Sequence, residues 1–480
     1  MGKSYHLNDV MKYLAIMIGV MIAMKASGGS GFLIVVPLAL MALAKNNVSD
    51  LFFYLLLTVS MLMGNAYLMP KNMVFGLAQR GLLIFLGGMM IIRSMGYRNS
   101  TYVKPLLLMT LYLAVAVVSS LQGWNVIISL LKIFLFVMIY FSYFGVANLV
   151  VTENRGRVSL QVRAALLAVA IFFICGSVAL IPFPGIGQLT GLEYEDAIKA
   201  GKTVTSLFKG MTMHSQSLGP MIVILFIVLL GDLILSVRRA DNLYLFLIFL
   251  CPILIFKTSS RTAMGSLIFG TTVLLYYVMQ ARGLRSTWKS KVMSTFMMVI
   301  LVGSIVTLIL PSARERISQF ALKSQDVTSE DLSFGQIASS RLGKWEEGIA
   351  NFKKSPFIGN GFQVSEDMQY IRAGLTTLSA PVEKSVWVSA VLEETGILGF
   401  FVFLIFILSV FFKGNVNRCY IGNTAFLTFL VSNMGEFTLF SMSYTGGFQW
   451  AMVFVGYMFD ATRQRAMNGM ALRPLMRMLR

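Results

Sequence analysis

The chain has 480 residues, 56% of them hydrophobic and only 13% charged, with a mean hydropathy of +0.74 and a formal net charge of +19. Soluble domains run at roughly 45–50% apolar and about 25% charged, so a soluble fold is excluded. The charge does not mark a nucleic-acid binder either: the basic residues fall mainly in short gaps between apolar runs, and no basic block interleaved with aromatics offers a groove for bases.

Apolar runs of about 15 to 22 residues recur along the whole chain, each near the roughly 20 residues a helix needs to cross about 30 Å of hydrocarbon. A membrane barrel would instead show alternating segments of about 10 residues. The expected fold is an all-α polytopic membrane protein of about 14 transmembrane helices, near 9–25, 31–45, 49–68, 73–92, 105–122, 126–148, 163–182, 217–236, 242–256, 263–281, 292–311, 386–412, 422–440 and 446–460. The first run, Met11 to Met24 behind Lys3, resembles a signal peptide, but no small-x-small cleavage site follows and further spans do, so it reads as a transmembrane helix. The chain divides into N-terminal helices (1–182), central helices (183–311, with an external loop 183–216), a large external loop (312–385), and C-terminal helices with a basic tail (386–480).

Alternating spans put Arg93, Arg98 and Lys104, then Arg155, Arg157 and Arg163, then Arg238 and Arg239, the cluster Arg282 to Lys291, Lys413 with Arg418, and the tail from Arg463 to Arg480 on one side. The positive-inside bias makes that side cytoplasmic, with both termini. The expected location is the bacterial inner membrane, with both long loops on the periplasmic side. The 312–385 loop holds nine of the 21 acidic residues, and its cations are exempt from the topological bias and so free to be functional. Cys175 and Cys251 lie in apolar runs and Cys419 beside Arg418, a pattern that suggests neither a disulfide nor a metal cluster.

Four segments carry candidate chemistry. Phe208 to Gly219 holds Lys209, suited to pairing a diphosphate or to anchoring a helix end, and His214, one of only two histidines. Lys257-Thr258-Ser259-Ser260-Arg261-Thr262-Ala263 places N-cap residues before a helix whose free N–H groups favour an anion, and Arg261 adds a bidentate donor for phosphate oxygens; the bland alternative is an interfacial snorkelling cation. Ser340-Arg341-Leu342-Gly343-Lys344-Trp345 sets Arg341 and Trp345 four apart on one face of a short helix, ended by Pro356-Phe357-Ile358-Gly359-Asn360-Gly361; an ordinary amphipathic loop helix is the alternative. Glu383, where the long loop re-enters the membrane, is placed to be a general base or simply to pair with Lys384. Glu394, Glu436, Arg80 and Lys132 lie deeper in apolar runs, where function and mutual pairing are both open.

Taken in order, Ser-Ser-Arg-Thr-Ala, then Ser-Arg-x-x-x-Trp with Pro-x-x-Gly-x-Gly in one external loop, then Glu394-Thr395-Gly396-Ile397-Leu398-Gly399, resemble the O-antigen ligase and polymerase (Wzy/WaaL) family over about residues 205–410. The resemblance implies a glycosyltransferase of the C type, working without a bound metal or other cofactor, that moves glycan from an undecaprenyl-diphosphate donor to an acceptor hydroxyl. It carries Arg261, Arg341 and Lys209 over to the donor diphosphate and matches His214 to the family's Gly-x-x-x-His segment; the chemistry of the residues themselves leaves Glu383 or His214 as the catalytic base and Trp345 with Lys344 for glycan or loop packing. Its implied partners are the lipid-linked donor, the glycan acceptor and membrane lipids, with a chain-length regulator and a flippase in reach. The ligases of the family resemble one another in a pattern His-x-(Asn/Ser/Gln), nine residues, Gly-x-x-(Gly/Thr/Tyr); here Glu383-Lys384-Ser385 and ten residues precede Gly396, a departure that points toward a polymerase. A lipid-linked-glycan transporter is the competing class. The missing internal repeat takes support from the inverted-repeat kind, and a midplane rather than a rim site would restore it.

Overall fold

The computed structural model describes residues 7–94, 107–152, 156–188, 208–235, 242–258, 260–280, 345–368, 384, 386–435, 438–441 and 445–478. The described residues form helices: α1 (Leu7–Ser27), α2 (Val35–Ala44, entered through a tight turn of helix at Ser30–Ile34), α3 (Val48–Met63), α4 (Met73–Ser94), α5 (Met109–Leu121), α6 (Val126–Thr152), α7 (Gly156–Ala170), α8 (Ser215–Leu235), α9 (Asn242–Lys257), α10 (Arg261–Gln280), α11 (345–354), α12 (Trp387–Val416), α13 (Tyr420–Ser432) and α14 (Thr445–Met478). Seven of the helical segments are long and apolar enough to cross a membrane, and five shorter apolar ones accompany them. This is the all-α polytopic membrane fold expected. Every predicted span except 292–311, which lies outside the described residues, coincides with a described helix.

Local chemistry sets several ends. Asn47 caps α3, its side-chain oxygen accepting from the Asp50 backbone N–H at 3.2 Å. α1 carries Asp9 in its first turn and Lys25 in its last, each matched to the helix dipole. α9 and α12 each bury one face and expose another: Leu247, Cys251 and Leu254 face inward while Phe246, Phe249 and Ile253 face out, and Phe403, Phe406 and Val410 oppose Phe401, Ile405 and Leu408. Such outward apolar stripes suit hydrocarbon rather than water. α8 is apolar all round and correspondingly buried from Ser217 to Leu235, with α9, α10, α13 and α14 packed about it. Trp450 of α14 lies among Phe136, Tyr140, Phe426, Phe429 and Phe454, its indole N–H donating to the Leu439 carbonyl at 2.8 Å.

Three boundaries differ from the sequence reading. α14 runs to Met478 rather than 460, because a helix satisfies its own backbone and need not stop where apolarity does. α7 begins at Gly156 and continues through a wide π turn, Ile171–Cys175, to Ala179. α13 ends at Ser432 rather than 440: the side chain of Asn433 accepts from the Thr438 N–H at 2.6 Å, and the apolar Leu439 and Phe440 beyond it are buried in protein rather than spanning.

Candidate functional site

The segment bearing Lys209 and His214 is held by the N-terminal helices. Asn65, just beyond α3, donates its backbone N–H to the Met211 carbonyl and its side-chain amide to the carbonyls of Gly210 and Ile186, while the Met213 N–H donates to Met63. Lys209 is buried, its carbonyl accepting from Thr212. The His214 carbonyl accepts from the Thr212 hydroxyl and from the N–H groups of Ser217 and Leu218, so the backbone of His214 starts α8 while its ring stays partly exposed.

Four residues into α8, Gly219 lies so close to Thr258, Ser260 and Ala263 that a Cβ there would stand 2.8 Å from that of Ala263. That approach joins the starts of α8 and α10. Ser260 caps α10 as expected, its hydroxyl 3.3 Å from the Ala263 N–H, and Arg261 is its first residue, partly exposed. Thr262 packs on Gly435, beyond the end of α13, and Asn433 in turn accepts from the Trp387 N–H at the start of α12.

α12 kinks at Gly396, whose φ of 63° and ψ of −168° are open only to glycine, and a Cβ there would overlap the Phe357 carbonyl. Into this kink fits the Pro-x-x-Gly-x-Gly turn. The N–H groups of Asn360 and Gly361 donate to the carbonyls of Glu393 and Glu394, and that of Ile397 donates to Pro356. The two motifs recognised separately are thus two halves of one joint. Helices α5 and α6 close it from the other side: Ser119 donates to the Glu394 carbonyl, Ser129 to Phe362 and Lys132 to Gln363.

Beneath the joint, Lys384 lies buried 3.3 Å from Glu393 and 3.1 Å from Glu394. Burial alone would lower the Lys384 ammonium, but the two carboxylates outweigh it and hold it above its ordinary range. Glu394 and Lys132, both ambiguous from sequence, therefore have protein partners. Sequence reasoning missed Lys71, in the loop between α3 and α4. Its ammonium donates to the Leu62 carbonyl and, at 3.0 Å, to the Met213 sulfur, and burial pushes it down to about 7. The only signal for it was a lysine in a short gap predicted to lie outside, where positive-inside bias does not call for one.

The structure thus brings Lys209, His214 and Arg261 to one end of the helix bundle, together with the Gly359 to Gly361 turn. Trp345 is exposed at the start of α11, on the same segment as that turn. Arg341, Lys344, Glu383 and Glu436 lie outside the described residues, as do most of the predicted external loops. Among the described residues, no group of three or more His, Cys, Asp or Glu side chains is placed to hold a metal. Residues 243–404 match a family model, Wzy_C, described as O-Antigen ligase. The resemblance to the O-antigen ligase and polymerase family is borne out over that stretch, which contains Arg261, the Pro-x-x-Gly-x-Gly turn and the kink of α12, and it supports glycan transfer with lipid-linked glycans as substrates. No curated protein matches the chain.

Proposed function

We propose that this protein is a polysaccharide polymerase, of the O-antigen or exopolysaccharide kind, that transfers glycan from an undecaprenyl-diphosphate-linked donor to a sugar hydroxyl of a lipid-linked acceptor on the periplasmic face of the inner membrane. The observation that carries the reading is the meeting, at one end of the bundle, of the His214 segment, the Arg261 helix start and the joint between the Pro-x-x-Gly-x-Gly turn and α12. In the step, the acceptor oxygen attacks the anomeric carbon as the bond to the diphosphate breaks. The electron pair leaves on the diphosphate, where the guanidiniums of Arg261 and Arg341 and the ammonium of Lys209 stabilise it without a metal. The hydroxyl proton goes to a base, Glu383 or His214. Counting nine residues back from Gly396 without an insertion gives Lys384 the ligase histidine's place; but an ammonium held between two carboxylates keeps its proton, so Lys384 positions and does not accept.

The match to a family described as O-antigen ligase favours a second reading, a ligase or protein O-oligosaccharyltransferase of the same chemistry with a different acceptor. Purified protein in detergent, given undecaprenyl-diphosphate oligosaccharide alone, should yield longer lipid-linked chains. Product only when a lipid core or protein acceptor is added would select the second reading, and no product with any acceptor would sink both. The proposed orientation is checked by impermeant thiol labelling in spheroplasts, expected for cysteine at position 330 and not at 285.

A further inference from the structure

Exposure along α12 changes at its kink. From Ser389 to Thr395 the helix is covered by protein, apart from a partly exposed Leu392, and this stretch carries Glu393 and Glu394. Past Gly396 an exposed apolar stripe begins at once, Ile397, Leu398, Phe401, Ile405, Leu408 and Phe412, and it ends at the exposed Lys413. From Ile397 to Lys413 the helix rises about 24 Å, and the lysine stem reaching on toward the headgroups brings the total near the roughly 30 Å of hydrocarbon. Hydrocarbon fitted to the stripe therefore ends at the kink, with Glu393 and Glu394 about 3–5 Å of helix rise beyond it.

The Pro-x-x-Gly-x-Gly turn is fixed at that level. The N–H groups of Ile397 and Leu398 donate to the carbonyls of Pro356 and Phe357 at 2.8 and 3.3 Å, and the Phe357 side chain is 74% exposed beside the first residues of the stripe. Asn360 and Gly361 of the same turn are buried against the carbonyls of Glu393 and Glu394, so the turn has an inward polar side and an outward apolar one. A second pair of helices gives the same level. Leu121 ends α5 and Ile127 lies in the first turn of α6, both exposed, and between them the Trp124 N–H donates to the Asn360 carbonyl at 3.0 Å. Tryptophan concentrates where hydrocarbon meets headgroups. A single exposed phenylalanine on a water-facing loop is ordinary, but this one is continuous with a lipid-facing helix and level with the ends of two others.

We propose that Pro356 to Ile358 is a membrane foot: the Phe357 ring enters the edge of the hydrocarbon on the candidate-site side of the bilayer, among lipid acyl chains, and keeps the joint at the level of the lipid headgroups. A diphosphate carried on a lipid meets the joint at that level without leaving the bilayer. The foot rests on the membrane fold, and only this consequence rests on the glycan-transfer reading.

The test is the depth of position 357 in the full-length protein, in nanodiscs of phosphatidylethanolamine and phosphatidylglycerol. Nitroxide labels on Phe357→Cys, Ile405→Cys and Asp367→Cys, with Cys175, Cys251 and Cys419 replaced by alanine, are compared by their collisions with oxygen, which concentrates in hydrocarbon, and with a water-soluble nickel chelate. The oxygen-to-nickel ratio at 357 is expected between those at 405, on the lipid face of α12, and 367, an exposed carboxylate. A ratio equal to that at 367 puts the ring in water and overturns the proposal. So does one equal to that at 405, which puts the turn near the midplane, and so does shielding from both reagents, which marks a position covered by protein. Because replacing three cysteines can itself disturb the fold, thermal unfolding of Phe357→Asp and Phe357→Leu in nanodiscs, with the native cysteines kept, is a second measurement. Both variants lose the ring, so lost packing cancels, and Asp should melt lower because a charge is costly in hydrocarbon. Equal melting temperatures overturn the proposal. Neither measurement reads glycan transfer, so a protein that has the foot and transfers nothing loses only the transferase reading.

Discussion

At the end of the bundle away from the candidate site, Arg163 of α7 grips Asp232 of α8 through two hydrogen bonds of 2.9 Å. Tyr244 adds a third at 3.1 Å, and the guanidinium lies over Phe459. Asp460 beside it accepts from the Gly422 N–H and faces Arg463. At the site end the charges do not close in this way: Lys71 meets a carbonyl and a sulfur, and one ammonium, Lys384, is shared by two carboxylates. Both ends bury ionic groups in an apolar setting, where each is costly unless matched. Matched groups lock helices together and have nothing left to give a ligand. Unmatched ones keep electrostatic capacity for a ligand, which is what the proposed glycan transfer asks of the site end.

The comparison breaks most readily at the arginines. If the site end works on a diphosphate, Arg261→Ala and Arg341→Ala abolish glycan transfer while the protein remains inserted and folded. Lysine at either position rescues poorly, lacking the planar fork. Near wild-type polymerisation by Arg341→Ala in a lipid-linked chain-extension assay would remove it from the donor site. Next in size, Glu383→Gln should lower turnover by roughly 10²–10⁴-fold, the usual worth of a general base, with little change in donor binding. If Gln is tolerated at 383 and His214→Ala is inactive, the two residues exchange roles.

At the locked end the effect falls on stability. Asp232→Ala strands a buried guanidinium and should cost about 3–5 kcal/mol, read as loss of unfolding free energy in detergent, while a paired Arg163→Met, Asp232→Leu replacement should come close to neutral. A double variant as unstable as the single one would show that the pair does more than neutralise itself. The smallest effect is expected at the joint: Gly396→Ala forces a side chain into glycine-only backbone at about 1–3 kcal/mol before its clash with Phe357 is counted. It should displace the Gly359 to Gly361 turn without touching the ion pair at the far end, so thermal stability falls modestly and transfer falls with it.

The helices were legible because each needs only a long apolar run, and α8 announced its central place by being apolar on every face. Boundaries such as the end of α13 were not, since an apolar residue buried in protein and one facing hydrocarbon look alike in sequence. In the candidate site, Ser260 and Arg261 could be found because caps and anion-binding helix ends depend on neighbours close in the chain, whereas Gly396 stood out only as part of the family motif and its kink answers to a distant carbonyl, that of Phe357. What could not be read was which distant segments meet. Nothing in Glu394-Thr395-Gly396 or in Pro356 to Gly361 says that each completes the other, and Lys71 carries no motif at all; its interest comes from what surrounds it in space.

Helices α5 and α6 carry Ser119, Ser129 and Lys132 into the apolar interior, and the carbonyls these side chains donate to lie 231 to 275 residues further along the chain. During synthesis these two helices are inserted long before residues 360–394 leave the ribosome. For that interval their polar side chains sit in or near lipid without their eventual acceptors, at a cost that water or neighbouring helices relieve only in part. The N-terminal half is thus a provisional structure, completed only by the segment that carries the family signature. A chain truncated after α10 would reach the membrane but stay exposed to membrane proteases, and supplying 345–480 as a second polypeptide should protect it.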